Sequence, residues 1–164
     1  MQIDVLFAFL TSVFFLTLSP GPDIIYVFYK SLTSGFKEAA KLSIGLTSGL
    51  LIHTLFVSIG ISNLIKSNQV YFDLIKYFGF IYFAYLAFSQ FFKKNRGDKK
   101  KNEIKNSFLT GLLMNLLNPK VSIFFIAFLP AFIFHNSLDI ELQFMILGLI
   151  FWFVATLIFV SISL

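Results

Sequence analysis

Five stretches of the chain, 3–29, 42–65, 70–92, 108–134 and 142–164, run for about 20 residues or more with few charges. A bilayer core about 30 Å thick takes about 20 apolar residues per helix. Inside lipid every backbone N–H and C=O needs an internal partner, which leaves only helices and closed barrels. None of the five stretches alternates as a barrel strand does, and each is too long to be one. The expected fold is therefore all-α, a polytopic transmembrane helical bundle with five spans in this sequence. Composition points the same way. Residues are 57% hydrophobic and 13% charged, where soluble domains carry about 25% charged residues. A chain this apolar cannot cover its own surface with polar groups. Its 24 Phe against a single Trp suit lipid-facing bulk rather than polar recognition.

Cysteine is absent, which excludes disulfides and thiolate metal sites. The net charge of +5 is concentrated: residues 93–105 read KKNRGDKKKNEIK and hold seven of the 13 Lys and Arg. A nucleic-acid patch would need a folded basic surface with stacking aromatics. Flanked by apolar spans, this run reads as a cytoplasmic loop, and no nucleic-acid partner is expected. Lys30, Lys37 and Lys41 put the first loop on the same side. The loop around His135, Asn136, Ser137 and Asp139 has no Lys or Arg and belongs outside, as does the N-terminus. Lys66 and Lys76 beside the second loop oppose this orientation but are outnumbered. The first ten residues carry Asp4, no Lys or Arg, and no cleavage signal follows, so a cleaved signal peptide is not expected. The location expected is the bacterial cytoplasmic membrane.

Two spans are interrupted, the first by Ser19-Pro20-Gly21-Pro22-Asp23 and the fourth by Asn118-Pro119-Lys120. Proline removes a backbone donor and clashes with the preceding turn. In hydrocarbon such breaks persist where they line a buried or watery cavity. Ser-Pro and Asn-Pro are also helix-start signatures, a capping side chain followed by proline at the first helical position. Each break is thus expected to begin a new half-helix at membrane depth.

The two breaks are related at an offset of 99 residues. Phe9-Leu10-Thr11 aligns with Phe108-Leu109-Thr110, Pro20 with Pro119, Ile24 with Ile123, and Gly49-Leu50 with Gly148-Leu149. Six of the ten identities cluster in residues 9–24. The expected organisation is a first three-helix repeat over 1–92, a basic loop over 93–107, and a second, incomplete repeat over 108–164. An odd number of spans per repeat inverts the second copy. Secondary transporters built this way place substrate sites where broken helices meet near the midplane. The counterpart of the third span would fall beyond Leu164, so a sixth helix is expected that this sequence does not contain.

The segment FFLTLSPGPDIIYV resembles the lysine exporter (LysE/RhtB) family of amino-acid exporters. The similarity continues in Gly35-Phe36-Lys37, in GLTSGLLIHTLFVSIG (45–60) and in LIKYFGFIYFAYLAF (74–88), and returns in FLTGLLMNLLNPKVSIFFIAFLPAF (108–132). It covers nearly the whole chain. The resemblance implies a six-span, gradient-driven exporter of amino acids, with no cofactor, and Ala131 departs from the glutamine the family often has after that proline.

Ionisable residues inside spans are costly and are functional candidates by default. The substrate-binding candidates are Ser19, Pro20, Gly21, Pro22, Asp23, Asn115, Asn118, Pro119 and Lys120. Asp23 reads as a partner for a substrate ammonium or a proton, or as a plain compensator of the helix dipole. Lys120 reads as a partner for a substrate carboxylate or for Asp23, or as a snorkelling lysine. His53 reads as a proton relay, together with Asp23, or as a hydrogen-bonded packing residue. Asn115 and Asn118 share a helical face and suit substrate binding or repair of the break. Gly45, Gly49 and Gly60 are expected to permit close helix packing. The leading reading is a secondary exporter of amino acids or similar small zwitterions, acting within the lipid bilayer with homo-oligomers open. Its rivals are a metal cation exporter, although no metal ligand set is seen, and a truncated, non-functional remnant. A membrane enzyme ranks lowest, because the spans hold no cluster of His, Asp or Arg.

Overall fold

The computed structural model of the protein describes residues 3–92 and 106–164, so the basic run 93–105 lies outside the described residues. Among these, the chain forms α-helices and no strand. They are α1 (Ile3–Leu18), α2 (Pro22–Ser34), α3 (Phe36–Ser67), α4 (Gln69–Phe92), α5 (Ser107–Leu116), α6 (Pro119–Ile123) and α7 (Ile140–Ser163). After α6 the chain continues through a π turn, Phe124–Phe128, and a 3-10 turn, Leu129–Phe132. The fold is an all-α helical bundle.

Among the described residues, two helices are long and apolar enough to cross a membrane alone, Phe36–Ile65 and Ile140–Ser163. The helices α1 and α2 meet at 57°, and α5 meets Pro119–Phe132 at 49°; each bent pair makes a further span when taken together. The stretch expected as the third span is the 24-residue α4, whose Gln69, Asp73, Lys76 and Gln90 make it more polar than α7. A bent pair followed by a long helix therefore occurs twice along the chain.

Both bends fall at the prolines, yet the half-helices start differently. The second follows the Asn-Pro signature: Asn118 caps α6 by accepting from the Lys120 N–H, with Pro119 at the first helical position. The first departs from it. Ser19 does not cap; the capping position is Gly21 and α2 begins at Pro22, two residues later than the Ser-Pro signature implies. Gly21 precedes Pro22, and a residue before proline is driven from helical to extended backbone, here φ −152° and ψ 172°. Helix formation cannot start until that residue is passed. The corner between α2 and α3 is turned by Gly35 at φ 78° and ψ 170°, a region open essentially to glycine alone.

The helix α3 packs against α2, α5 and α7. Its approach to α5 is close enough to exclude a methyl group. A Cβ on Gly45 would collide with the Phe108 carbonyl, and one on Gly111 with the Leu42 carbonyl. A Cβ on Gly49 would lie 2.9 Å from Asn115 Cβ. Small residues do this in membranes, where packing rather than water exclusion holds helices together. Gly60 departs from expectation: nothing lies within 4 Å of a Cβ placed there, because it is on the exposed side of α3.

A run of ring contacts links α1 to α3 across the bundle. Phe9 meets Phe132 at 5.2 Å, Phe132 meets Phe128 at 5.0 Å, and Phe128 meets Phe124 at 5.1 Å. From there Phe124 contacts Phe151 at 5.2 Å, Phe151 contacts Phe125 at 5.3 Å, and Phe125 stacks on His53 at 5.5 Å. The π turn supplies three of these rings, of which Phe124 and Phe125 reach α7 and Phe125 also reaches α3.

The two ends of the bundle are closed by polar contacts. At one end Ser43 Oγ and Ser163 Oγ lie 2.9 Å apart, and Ser31 Oγ donates to the Ser163 carbonyl at 2.8 Å. Nearby Ser107 Oγ donates to Glu38 Oε2 at 2.6 Å, tying α5 to α3. At the other end Gln143, fully buried, holds the 133–139 loop. Its Oε1 accepts from the Phe134 and His135 N–H groups, both at 2.9 Å, and its Nε2 donates to the His135 and Leu138 carbonyls at 2.8 and 2.9 Å. Removing that side chain strands four backbone groups. Gln143→Leu is expected to cost about 2–4 kcal/mol in thermal unfolding in detergent. A loss below about 0.5 kcal/mol would mean that water replaces the glutamine fully.

Candidate functional site

A proline frees the carbonyl four residues before it, because it has no N–H to offer. Pro20 thus frees the carbonyl of Leu16 and Pro119 frees that of Asn115. The second vacancy is filled locally, the Asn118 N–H donating to the Asn115 carbonyl at 3.1 Å, and the first is filled across the bundle. Lys120 Nζ, from the start of α6, donates to the Leu16 carbonyl at 2.7 Å and to the Ser19 carbonyl at 3.3 Å. His53 on α3 lies against the Asn115 backbone.

The crossing is reciprocal. Asp23, in the first turn of α2, accepts a 2.6 Å hydrogen bond at Oδ2 from Asn118 Nδ2, the cap of α6. Each break therefore sends one side chain into the other, and the four half-helix ends meet at one place. The charges are arranged favourably. The ammonium of Lys120 faces the negative C-terminal end of α1, and the carboxylate of Asp23 stands at the positive N-terminal end of α2. They attract each other through space, although the ammonium points at carbonyls rather than at the carboxylate. Lys120 does not snorkel; its ammonium is anchored inside the bundle.

A cavity of about 30 Å³ lies at the crossing. Ser19, Gly21, Asp23, Asn115, Asn118 and Lys120 line it, together with Thr17. Leu50 from α3 and Phe151, Ala155 and Phe159 from α7 form the apolar wall. The volume suits a water molecule and not an amino acid, so a larger ligand requires the half-helices to separate. Three of the expected site residues lie at the bends and not in the cavity lining. Pro20, Pro22 and Pro119 are exposed and set the bends without lining the cavity. His53 also stands outside it, stacked on Phe125.

Three buried side-chain atoms in the described residues have no hydrogen-bond partner: Asp23 Oδ1, Asn115 Oδ1 and His53 Nε2. Buried polar atoms are seldom left so. Two of the three belong to residues lining the cavity, and the third adjoins one of them. No three His, Asp or Glu side chains among the described residues gather closely enough to hold a metal ion.

Sequence reasoning missed Thr17 and the apolar wall. A threonine one turn before the break was a usable signal, since its hydroxyl bonds back to the Val13 carbonyl at 2.7 Å, as threonine does in lipid-embedded helices. The wall depends on which helices pack together and left no local mark.

Comparison with known proteins places this sequence in a family. The sequence model described as LysE type translocator matches residues 14–163. An uncharacterized membrane protein of Bacillus subtilis (strain 168), YrhP, is 31% identical over 165 residues, covering 93% of this chain and 78% of that protein. A homoserine/homoserine lactone efflux protein of Salmonella typhi is 31% identical over 146 residues, covering 87% of this chain and 70% of that protein. No solved structure matches. The chain belongs to the LysE type translocator family, a multi-pass translocator of the bacterial cytoplasmic membrane.

Proposed function

We propose that the protein exports amino acids or similar small zwitterions, driven by an ion gradient, through the crossing of its two breaks. One observation carries the reading: Lys120 reaches the freed carbonyls of α1 while Asn118 holds Asp23 of α2. That puts one cation, one carboxylate and four half-helix ends around a single cavity. A zwitterion needs an acceptor set for its ammonium and a donor set for its carboxylate. Asp23 with the break carbonyls suits the first; Lys120 and Asn118 suit the second. The efflux relative supports this cargo class. A cavity with one carboxylate is a poor match to a metal cation, which takes several oxygen or nitrogen ligands.

The repeat over 1–92 and 108–164 is part of the proposal, with the second unit inverted. It is supported by the recurrence of a bent pair and a long helix, and by the offset of 99 residues that pairs Pro20 with Pro119. The basic corner of Lys30, Lys37 and Lys41 and the run 93–105 then face the cytoplasm. Opening the crossing alternately to either side moves the cargo, and collapse of the gradient stops it.

The test is efflux of preloaded labelled homoserine from cells expressing the protein. The expected result is faster loss of label than in cells without it, abolished by a protonophore. Equal loss in both, with the protein present in the membrane, would remove the exporter reading.

A further inference from the structure

The Lys120 ammonium occupies a position whose chemistry is that of a ligand site. It donates to two main-chain carbonyls at 2.7 and 3.3 Å, and the unpartnered Oδ1 of Asp23 lines the same cavity. Carbonyl oxygens at a helix C-terminus together with a carboxylate recognise a small cation bearing N–H donors. A primary ammonium group also sits on the cargo that the exporter reading assigns. Homoserine and its lactone share that amine, whereas the lactone has no carboxylate.

We infer that the carbonyls of Leu16 and Ser19 with the Asp23 carboxylate form a primary-ammonium site, which Lys120 holds at rest and the cargo's own ammonium takes over on loading. The second half rests on the exporter reading; the first does not. Displaced, Lys120 is free to turn to a cargo carboxylate. Its release also unties α6 from the end of α1, which opens a cavity otherwise too small for an amino acid. The same contact thus excludes cargo until the cargo replaces it. No bond is made or broken in the exchange, and charge is conserved because one ammonium succeeds another.

The experiment uses the full chain in detergent. Lys120→Ala empties the site, and its melting temperature is compared in methylammonium chloride, tetramethylammonium chloride and sodium chloride at equal ionic strength. Methylammonium carries N–H donors, tetramethylammonium the same charge without them, and sodium is a metal cation. The expected result is a rise of about 2–4 °C in methylammonium alone, with the wild type indifferent to all three. Equal melting in the three salts would overturn the site. A rise in sodium as large as in methylammonium would assign it to a metal cation and overturn the ammonium specificity. If Lys120→Ala has lost its helical signal, Lys120→Met, which keeps most of the stem, carries the same comparison. The takeover is read on the wild type with homoserine against its N-trimethyl betaine. Homoserine alone should raise the melting temperature and compete with labelled cargo; equal effects of the two would show that cargo does not use N–H donors here. A methylammonium rise in Lys120→Ala without efflux by the wild type would keep the site and discard the exporter reading.

Discussion

Asp23→Asn is expected to slow efflux about 300-fold, and at least about 30-fold, at equal protein in the membrane. The carboxylate is bonded on one side only, with Oδ2 held by Asn118 at 2.6 Å and Oδ1 buried and open. Neutralising one member of a buried, hydrogen-bonded charge system costs about 2–5 kcal/mol. Tenfold in rate corresponds to about 1.4 kcal/mol, so the middle of that range is about 300-fold and its lower end about 30-fold. The magnitude separates two roles. If Asp23 only compensated the α2 dipole, its charge would contribute about 0.3–1 kcal/mol, and Asn would slow efflux by no more than about fivefold. Asn118→Ala should fall between these limits, because it removes the cap of α6 and the Asp23 bond but leaves the carboxylate in place. Initial rates of label loss, normalised to membrane protein, decide the matter; an Asp23→Asn rate within fivefold of wild type would end the charge role.

The parts of this site that were legible in the sequence are those with a local cause. Pro20 and Pro119 announced the bends because a missing N–H breaks a helix whatever surrounds it. Asn118 announced its own cap for the same reason. Gly21 misled by two residues, since its backbone answers to the proline after it rather than to the one before. Lys120 is instructive in another way. Read along the chain, it is a cation at the wrong end of a half-helix and needs an anion nearby. In the folded chain its stem crosses to the C-terminal carbonyls of α1, and the dipole that receives it belongs to another helix. No property of residues 118–120 encodes that partner. The offset of 99 residues was the one long-range clue, because it pairs the two breaks before any contact is known. Gln143 lay hidden for the opposite reason: inside a strongly apolar stretch it reads as a tolerated polar residue, and only the fold of the 133–139 loop around it reveals four bonds. The π turn was equally silent, since one residue more per turn leaves hydropathy unchanged.

The second large effect concerns the crossing of α3 and α5, which carries Asn115 to the cavity. Gly45→Ala and Gly111→Ala are each expected to destabilise the protein by about 3 kcal/mol. Both methyls would strike backbone, at the Phe108 and Leu42 carbonyls, and backbone in two packed helices cannot turn aside as a side-chain tip can. Relief requires the helices to move apart, which also loosens Asn115 against Gly49. That gives the pair a signature. Once one methyl has forced the separation, the second finds room already made, so the double variant should cost clearly less than the sum. Gly60→Ala is the internal control with the opposite sign. It sits in the same helix with nothing within 4 Å of the added methyl, and alanine is favoured over glycine in a helix by about 0.5–1 kcal/mol. Thermal melts of the four variants therefore should order Gly60→Ala at or above wild type, and each single crossing variant well below it. The double variant should lie only slightly lower still. Strict additivity would mean that the two methyls are absorbed locally, and the tight crossing would then not be what holds Asn115 in the cavity wall.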